Sequence, residues 1–148
     1  MGIPYHNASL IYKNNPFTPM VEAVRQQIAE QYGFAPNSCL LNRYADGGGS
    51  RGWHADDVTI MAPDTPIVII SLGQTRALSL RWPIADGFKR QEVVLQHGSG
   101  FMMSQRLQLE AKHAIRRQAE GGLRISLAFR HLTHSPEPKS MSNHSRGS

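Results

Sequence analysis

The clearest pattern in the chain is an alternation of apolar and polar side chains along GLRISLAFRH, close to the C-terminal end. Strict alternation predicts a strand, here over residues 122–131, because successive side chains on a strand point to opposite faces. One predicted face is apolar and consists of Leu123, Ile125, Leu127 and Phe129. The other face places two small residues between two arginines and consists of Arg124, Ser126, Ala128 and Arg130.

A different period marks residues 18–32, where apolar residues recur every four positions, as on one face of an α-helix. Thr18 is a suitable N-cap, Pro19 suits the first helical position, and Gly33 is a suitable stop. The predicted apolar stripe consists of Met20, Val21, Val24, Ile28 and Tyr32. The sequence therefore predicts one helix ahead of the remaining elements.

Short apolar segments separated by turn-forming residues dominate the chain after Asn37. The intervening sequences GGGS, APDT, PIADG, HGSG and QAEGG are rich in residues that favour turns. The predicted strands cover residues 38–44, 53–59, 66–72, 76–82, 91–95, 100–104, 111–116 and 122–131, with a further short strand over residues 9–13. One helix followed by many short strands indicates a mainly β (α+β) domain, in the form of a double-sheet roll or barrel.

Length and composition set limits on this domain. A chain of 148 residues suits a single domain, predicted over residues 1–133 and followed by a polar, disordered tail over residues 134–148. Its 16 Lys and Arg exceed its 11 Asp and Glu, and the net charge of +5 favours a polyanionic partner. The single cysteine, Cys39, excludes an internal disulfide framework. With no long apolar run and no visible signal peptide, we expect a soluble, cytoplasmic protein without a membrane partner.

His54 and Asp56 are the first candidates for chemistry, because residues two apart on a predicted strand share one face. With a second histidine they would complete the two-His, one-carboxylate set of non-haem Fe(II) sites. A His-x-Asp pair alone is also common in solvent-facing loops. Candidates for the second histidine are His113, between two strand-like segments, and His97, in a turn. Poorer candidates, at or beyond the end of the last strand, are His131 and His134.

The arginines of the last predicted strand form a candidate anion site. Six residues at about 3.3 Å each place the α-carbons of Arg124 and Arg130 roughly 20 Å apart, so together they would suit only the two ends of a short dicarboxylate. Two solvated arginines on an edge strand are the alternative. Asn42 and Tyr44 share a face of the strand predicted over residues 38–44. Both could orient a carboxylate or keto group by hydrogen bonds, although such residues are also often structural.

Taken together, these motifs resemble the AlkB-type branch of the Fe(II)/2-oxoglutarate dioxygenases. The resemblance covers residues 5–132 and follows the family's order through LLNRYADGGGSRGWHADD, PIVIISLGQTRALSLR, HGSGFMMS and LRISLAFR. Its specific part is the combination of Asn-x-Tyr, His-x-Asp, a later histidine and two arginines separated by five residues. It implies a double-stranded β-helix, or jelly roll, with a short preceding helix.

The resemblance also implies a role for each matching residue. The Fe(II) ligands would be His54, Asp56 and His113. The residues toward the co-substrate 2-oxoglutarate would be Asn42, Tyr44, Arg124 and Arg130. Of these, Asn42 and Tyr44 would hydrogen-bond the co-substrate, Arg124 would pair with its distal carboxylate, and Arg130 would lie near its iron-proximal end. Dioxygen would be the second co-substrate.

For the substrate, the resemblance implies nucleic-acid bases whose N-alkyl groups are removed oxidatively, with release of succinate, CO2 and formaldehyde. Ser126 and Ala128 replace a common Asn and Thr of the family, and Val58 stands where the nucleic-acid members usually have Glu. The chain also begins almost at the catalytic core, so we expect much of the lid that grips a flipped base to be absent. A reduced lid favours single-stranded substrates, because it has fewer means of extruding a paired base.

Candidates for holding a base by stacking are Tyr5, His6, Tyr12 and Trp53. A phosphate track could be formed by Arg43, Arg51, Arg76, Arg81, Lys89, Arg90, Arg106, Lys112, Arg116 and Arg117. We expect a monomer. The alternatives are the same iron chemistry on a protein or small molecule, and a non-catalytic, basic nucleic-acid-binding β-roll, which would have no need of a carboxylate beside two histidines.

Overall fold

A computed structural model of the chain describes residues 6–7, 10–11 and 15–133. At its start, strands β1 (His6–Asn7) and β2 (Leu10–Ile11) pair antiparallel. Of the strand predicted over residues 9–13, only Leu10–Ile11 belongs to the described part. The predicted tail over residues 134–148 lies outside it, as do Tyr5, Tyr12 and His134.

The predicted helix is confirmed as α1 (Pro19–Tyr32). The Thr18 hydroxyl accepts a hydrogen bond from the backbone N–H of Val21 at 3.3 Å, and Gly33 ends the helix in the left-handed conformation at a φ of 69°. Ile28 is buried in the cluster that joins the helix to the sheet beneath it. The predicted stripe is wrong at its two ends, since Met20 is 82% and Tyr32 39% exposed and neither belongs to that cluster.

The rest of the described chain is mainly β. Its strands are β3 (Ser38–Tyr44), β4 (Arg51–His54), β5 (Ile67–Gly73), β6 (Arg76–Ile84), β7 (Gly87–Leu95), β8 (Gly100–Met103), β9 (Lys112–Ile115) and β10 (Arg124–Arg130). They form two antiparallel sheets of four strands: the β10 sheet, ordered β3-β10-β5-β8, and the β9 sheet, ordered β4-β9-β6-β7. The predicted mainly β, jelly-roll fold with a preceding helix is therefore confirmed.

Strand β10 lies in the middle of its sheet, between β3 and β5. Its alternation is confirmed, since Ile125, Leu127 and Phe129 pack toward α1 while the opposite residues line a cavity between the sheets. Leu123 precedes the strand and is partly exposed. The alternative of two solvated arginines on an edge strand is wrong, because Arg124 is 1% and Arg130 6% exposed.

Two predicted strand boundaries need correction, and one helix was missed. Strand β4 ends at His54, so the strand predicted over residues 53–59 is wrong after that point. There Asp57 accepts a hydrogen bond from the backbone N–H of Thr59 at 2.9 Å and caps a short 3-10 helix, Val58–Ile60. A second helix, α2 (Gln105–Glu110), was not predicted, because six residues are too few to establish an apolar period. Strand β7 begins at Gly87, earlier than predicted. The prediction missed this part of the strand because most residues before position 93 are polar and all of them are exposed, so they show no apolar pattern.

The apolar core has two layers. Between the two sheets lie Tyr44, Ile60, Met61, Ile67, Leu78, Leu80, Leu95, Met103, Ile115 and Leu132. Between the β10 sheet and α1 lie Ile28, Val68, Leu127 and Phe129. In the part of the chain that the structure describes, no helix has the length and apolar character needed to span a bilayer. The two layers hold the β10 sheet from both sides, with the cavity at its inner face.

Candidate metal centre

Two histidines from distant parts of the chain lie side by side on neighbouring strands of the β9 sheet. His54, the last residue of β4, is the direct antiparallel partner of His113 on β9. Their ring centroids lie 4.2 Å apart, with the ring planes tilted by 57°. The sheet therefore brings together the two imidazoles that the sequence assigns to one metal, and it selects His113 over the other candidate histidines.

Asp56 completes the group from a loop rather than from a strand. One carboxylate oxygen, Oδ1, lies 3.8 Å from Nε2 of His54. One potential ligand atom from each of His54, Asp56 and His113 lies within 4.8 Å of the other two. Two imidazoles and one carboxylate at this spacing match the facial set that binds Fe(II) and leaves further coordination positions open. The predicted ligands converge, although the strand geometry that suggested Asp56 does not extend to it.

The orientation of the His54 ring is set by its own backbone. Nδ1 of His54 lies 2.7 Å from the carbonyl oxygen of Gly52, which can only accept a hydrogen bond. Nδ1 therefore carries the proton, and the lone pair of Nε2 faces Asp56. A metal-binding histidine usually donates its other ring N–H in this way, which fixes both the tautomer and the ring angle.

Arg130 orients the Asp56 carboxylate. Its Nε and Nη2 donate to the second carboxylate oxygen, Oδ2, at 2.8 and 2.5 Å. Both side chains are buried, so water competes little for this ion pair. The pairing occupies Oδ2 and directs Oδ1 toward His54. Arg130 thus contacts a metal ligand, and its predicted closeness to 2-oxoglutarate stays a prediction.

The buried surroundings set the protonation states of the three ligands. Burial lowers the pKa of His113 to about 4, and the neighbouring His54 adds to the effect. Burial also lowers the pKa of His54. For Asp56, burial opposes ionisation, but the Arg130 guanidinium outweighs it and holds the pKa of the carboxyl below its usual value. At neutral pH the group therefore consists of two neutral imidazoles and a carboxylate, the forms that bind a metal.

A buried cation lies on the opposite wall of the same cavity. Arg124 donates from Nη2 to the Ser71 hydroxyl at 3.0 Å, and its guanidinium carbon lies 5.1 Å from the centre of the Tyr44 ring. Within the described residues, its Nε and Nη1 are buried without a hydrogen-bond partner. Burial lowers the pKa of Arg124, yet a guanidinium stays protonated at neutral pH. Leaving buried charged donors unpaired is costly, so this wall is built to receive an anion.

The residues on the two walls of the cavity can be compared with what Fe(II) and 2-oxoglutarate require. All seven predicted site residues line one cavity between the sheets: Asn42, Tyr44, His54, Asp56, His113, Arg124 and Arg130. The ligand set suits Fe(II), and the unpartnered donors of Arg124 suit a carboxylate at the far end from the metal ligands. Ser126 stands on β10 between Asn42 and Ser71 as its direct partners. The residues present fit both groups.

Other candidates are held elsewhere. Nδ1 of His97 accepts from the backbone N–H of Gly73 at 2.8 Å, and Nδ1 of His131 lies 2.7 Å from the carbonyl oxygen of Ala35. The ring of Trp53 stacks on the Arg81 guanidinium, 4.4 Å from its centre. Both histidines therefore have structural partners away from the cavity.

Sequence reasoning missed two residues that support the centre. Gln108 is buried on α2, and its Oε1 accepts a hydrogen bond from the backbone N–H of Asp56 at 2.9 Å. Ser71 bonds Arg124 from the neighbouring strand β5. The sequence signal for the helix that carries Gln108 was Ser104, a suitable N-cap residue. Its hydroxyl caps α2 by accepting a hydrogen bond from the Leu107 N–H at 3.1 Å. For Ser71, a polar residue inside the apolar run of β5 was the signal.

Comparison with known proteins places this geometry in a family. The family model of the 2OG-Fe(II) oxygenase superfamily matches residues 4–130. Mouse DNA oxidative demethylase ALKBH2 is 31% identical over 138 residues, which are 88% of this chain and 58% of that protein. Human alpha-ketoglutarate-dependent dioxygenase alkB homolog 3 is 27% identical over 146 residues, which are 93% of this chain and 50% of that protein.

A solved structure described as OsALKBH1 has the same fold, with a TM-score of 0.52 at 18% identity over 74% of this chain and 59% of that one. The chain spans 50–58% of the length of the two curated relatives. Within that length it contains the jelly roll, the metal-ligand group and the buried arginine on the facing wall. On these grounds the chain belongs to the 2OG-Fe(II) oxygenase superfamily.

Proposed function

We propose that this chain is an Fe(II)- and 2-oxoglutarate-dependent dioxygenase that removes N-methyl or other N-alkyl groups from nucleic-acid bases. The observation that carries the proposal is one cavity with a two-His, one-carboxylate group on one wall and, on the other, a buried arginine with two donors that lack a partner among the described residues. A site for a metal alone would not need the second wall. A metal and a dicarboxylate together account for both.

His54, Asp56 and His113 would hold the iron, and Arg124 would hold the distal carboxylate of 2-oxoglutarate through Nε and Nη1. When bound, Fe(II) supplies the activation of dioxygen that couples decarboxylation of 2-oxoglutarate to hydroxylation of the alkyl carbon. Arg130 keeps Oδ2 of Asp56 occupied, so that Oδ1 stays directed at the metal position. The apolar cavity wall, with Leu78, Ile115 and Met103, limits the access of water to the reacting groups.

The reaction balances without any further reductant. One oxygen atom of dioxygen enters succinate and the other enters the alkyl carbon, while CO2 leaves 2-oxoglutarate. The hydroxymethyl group on nitrogen then breaks at its C–N bond, the hydroxyl proton moves to nitrogen, and formaldehyde leaves. The protein contributes position and exclusion of water, and the cofactor contributes the difficult chemistry.

The nucleic-acid substrate rests on the curated relatives and on charge. Mouse and human ALKBH2 are named DNA oxidative demethylases, and the net charge of +5 favours a polyanion. We further propose that single strands are preferred, that the protein acts as a monomer and that it works in the cytoplasm. Trp53, the aromatic residue nearest to the ligands in sequence, is engaged with Arg81, so it is poorly placed to replace a base taken from a duplex.

A second candidate substrate class is a protein side chain or a small molecule. Val58 packs against the core layer between the two sheets, at the position where the nucleic-acid members usually place a glutamate. The cavity would then lack one polar contact for a base. The iron chemistry would be unchanged.

The test is turnover of 2-oxoglutarate with Fe(II) and ascorbate in air, with and without an N-methylated single-stranded oligonucleotide. Oligonucleotide-dependent succinate with an equal amount of formaldehyde supports the proposal, and slower reaction of the matched duplex supports the strand preference. Succinate without loss of the methyl group favours the second candidate. Absence of succinate from the wild-type protein, under conditions in which His113→Ala gives the same result, would contradict both.

A further inference from the structure

Asp56 is the one predicted metal ligand that no strand holds in place. Strand β4 ends at His54, and the next element, the 3-10 helix, begins at Val58. In the described chain, the backbone N–H of Asp56 donates instead to a side chain, the Oε1 of Gln108, at 2.9 Å. The position of this ligand therefore depends on a residue 52 positions away in the sequence.

Gln108 is itself firmly placed. It is 4% exposed, on the short helix α2 that the Ser104 hydroxyl caps. The other end of its amide, Nε2, lies 3.5 Å from the Sδ of Met103, a weak acceptor, and Met103 is buried in the core layer between the two sheets. The amide oxygen of Gln108 faces the backbone N–H of Asp56, because the reverse orientation would set an NH2 group against that N–H group.

We propose that Gln108 is a positioning residue for the metal centre, which holds the backbone of Asp56 while Arg130 holds its carboxylate. The proposal rests on the metal group proposed above. The two contacts act on different parts of one residue: Arg130 sets the rotation of the carboxylate, and Gln108 sets the distance of the loop from β9. Without the Gln108 acceptor, the loop between β4 and the 3-10 helix loses its described tie to α2, and Oδ1 moves relative to His54 and His113.

The test uses a matched pair of glutamines on one helix. Gln105 also lies on α2, but its Nε2 donates to the carbonyl oxygens of Ala62 and Thr65 at 2.6 and 2.9 Å, away from Asp56. Gln108→Leu and Gln105→Leu make the same chemical change at positions three residues apart on this helix. Binding of Co(II) to the purified full chain, followed by its visible absorption without co-substrate or nucleic acid, measures the metal site alone.

We expect Gln108→Leu to weaken Co(II) binding about 10- to 100-fold, the range typical for groups that orient metal ligands. Gln105→Leu should bind Co(II) as the wild type does, because its contacts stabilise the loop over residues 62–65 only. Gln108→Glu keeps an acceptor oxygen at the same distance, and we expect it to restore most of the affinity. A purely structural role would instead weaken both leucine variants alike, with no rescue by glutamate.

Wild-type Co(II) affinity in Gln108→Leu would overturn the proposal. If that variant does not fold, Gln108→Asn takes its place: it keeps the amide but withdraws the oxygen by one methylene, and wild-type affinity there would likewise overturn the proposal. Failure of the proposed function is separate, because a protein that binds Co(II) in a Gln108-dependent way but turns over no alkylated nucleic acid supports the positioning role alone.

Discussion

The two walls of the cavity are built by different means. On the β10 sheet, Arg124 and Arg130 stand at the ends of one strand that is paired with β3 along its whole length and with β5 over most of it. On the β9 sheet, β4 has only four residues and its register with β9 shifts between Arg51 and His54. Asp56 lies beyond the end of that strand. Backbone pairing fixes the wall that faces the anion, whereas on the wall that holds the metal ligands one ligand, Asp56, is fixed by side-chain contacts.

Substitutions on the two walls should therefore have different effects. The backbone position of β10 is set by its pairing with β3 and β5, on both sides of the strand. A side chain that supports Asp56 is part of what determines where Asp56 lies. We therefore expect changes at residues that support Asp56 to affect stability and metal binding together, and changes at Arg124 to affect 2-oxoglutarate binding without affecting metal binding.

The largest effect is expected for Asp56→Ala. It removes a metal ligand and a buried ion pair with Arg130, so we expect Co(II) binding to weaken more than about 100-fold. Loss of one partner of a buried pair should also lower the free energy of unfolding by about 3–5 kcal/mol. Co(II) titration and urea denaturation measure the two effects. Asp57→Ala is the control, since Asp57 is exposed and bonds Thr59; equal Co(II) affinities in the two variants would contradict the assignment.

Next comes Arg124→Met, on the other wall. Loss of a charge-assisted contact worth about 1.5–3 kcal/mol should raise the 2-oxoglutarate concentration required for half-saturation roughly 10- to 100-fold. Co(II) affinity should stay unchanged. The free energy of unfolding of the ligand-free protein should change little, because the loss of the Nη2–Ser71 hydrogen bond is offset by the removal of two buried donors that have no partner. Arg117→Met, at an exposed arginine, is the control. An unchanged 2-oxoglutarate requirement would place the anion elsewhere.

The buried His113 should make the stability of the protein depend on pH. The folded pKa of His113 is about 4, and an unfolded histidine titrates near 6.5, so the unfolded chain binds the proton first as pH falls. The stability of the metal-free protein is therefore fully present above pH 6.5 and declines below it, by about 2 kcal/mol between pH 7 and 5 for this residue. Urea denaturation of wild type and His113→Asn across this range measures it. The same slope in both proteins would contradict the buried, neutral state of His113.

The smallest effect is expected for Thr18→Ala, behind the anion wall. Loss of the N-cap of α1 should lower the free energy of unfolding by about 1 kcal/mol. Because β10 is held by β3 and β5 independently of this helix end, affinities for Co(II) and for 2-oxoglutarate should match those of the wild type. A weaker 2-oxoglutarate affinity in Thr18→Ala would mean that α1 takes part in shaping the cavity.

The same division explains what the sequence could predict. Alternation along β10 correctly placed Arg124 and Arg130 on one face, because a long paired strand obeys its period. The same strand period failed at Asp56, because β4 ends at His54 and Asp56 lies in the loop beyond it. No local pattern indicated Gln108, because its role comes from a contact with a residue far away in the sequence. Local pattern also included Met20 in the stripe of α1, since period alone does not tell where the sheet beneath the helix ends. The convergence of His54 with His113 came from the resemblance, because spacing left His97 open.

The direct pairing of His54 with His113 has a consequence for folding. A slip of β4 against β9 by one residue would turn every side chain of β4 to the other face, so one imidazole would leave the cavity. A bound metal ion would then cross-link two of the shortest strands of the jelly roll, and only molecules with the correct strand register could bind it. The fraction of chains that bind metal would therefore equal the fraction that is correctly folded. Excess metal would shift the equilibrium from misaligned chains toward the native strand pairing by mass action.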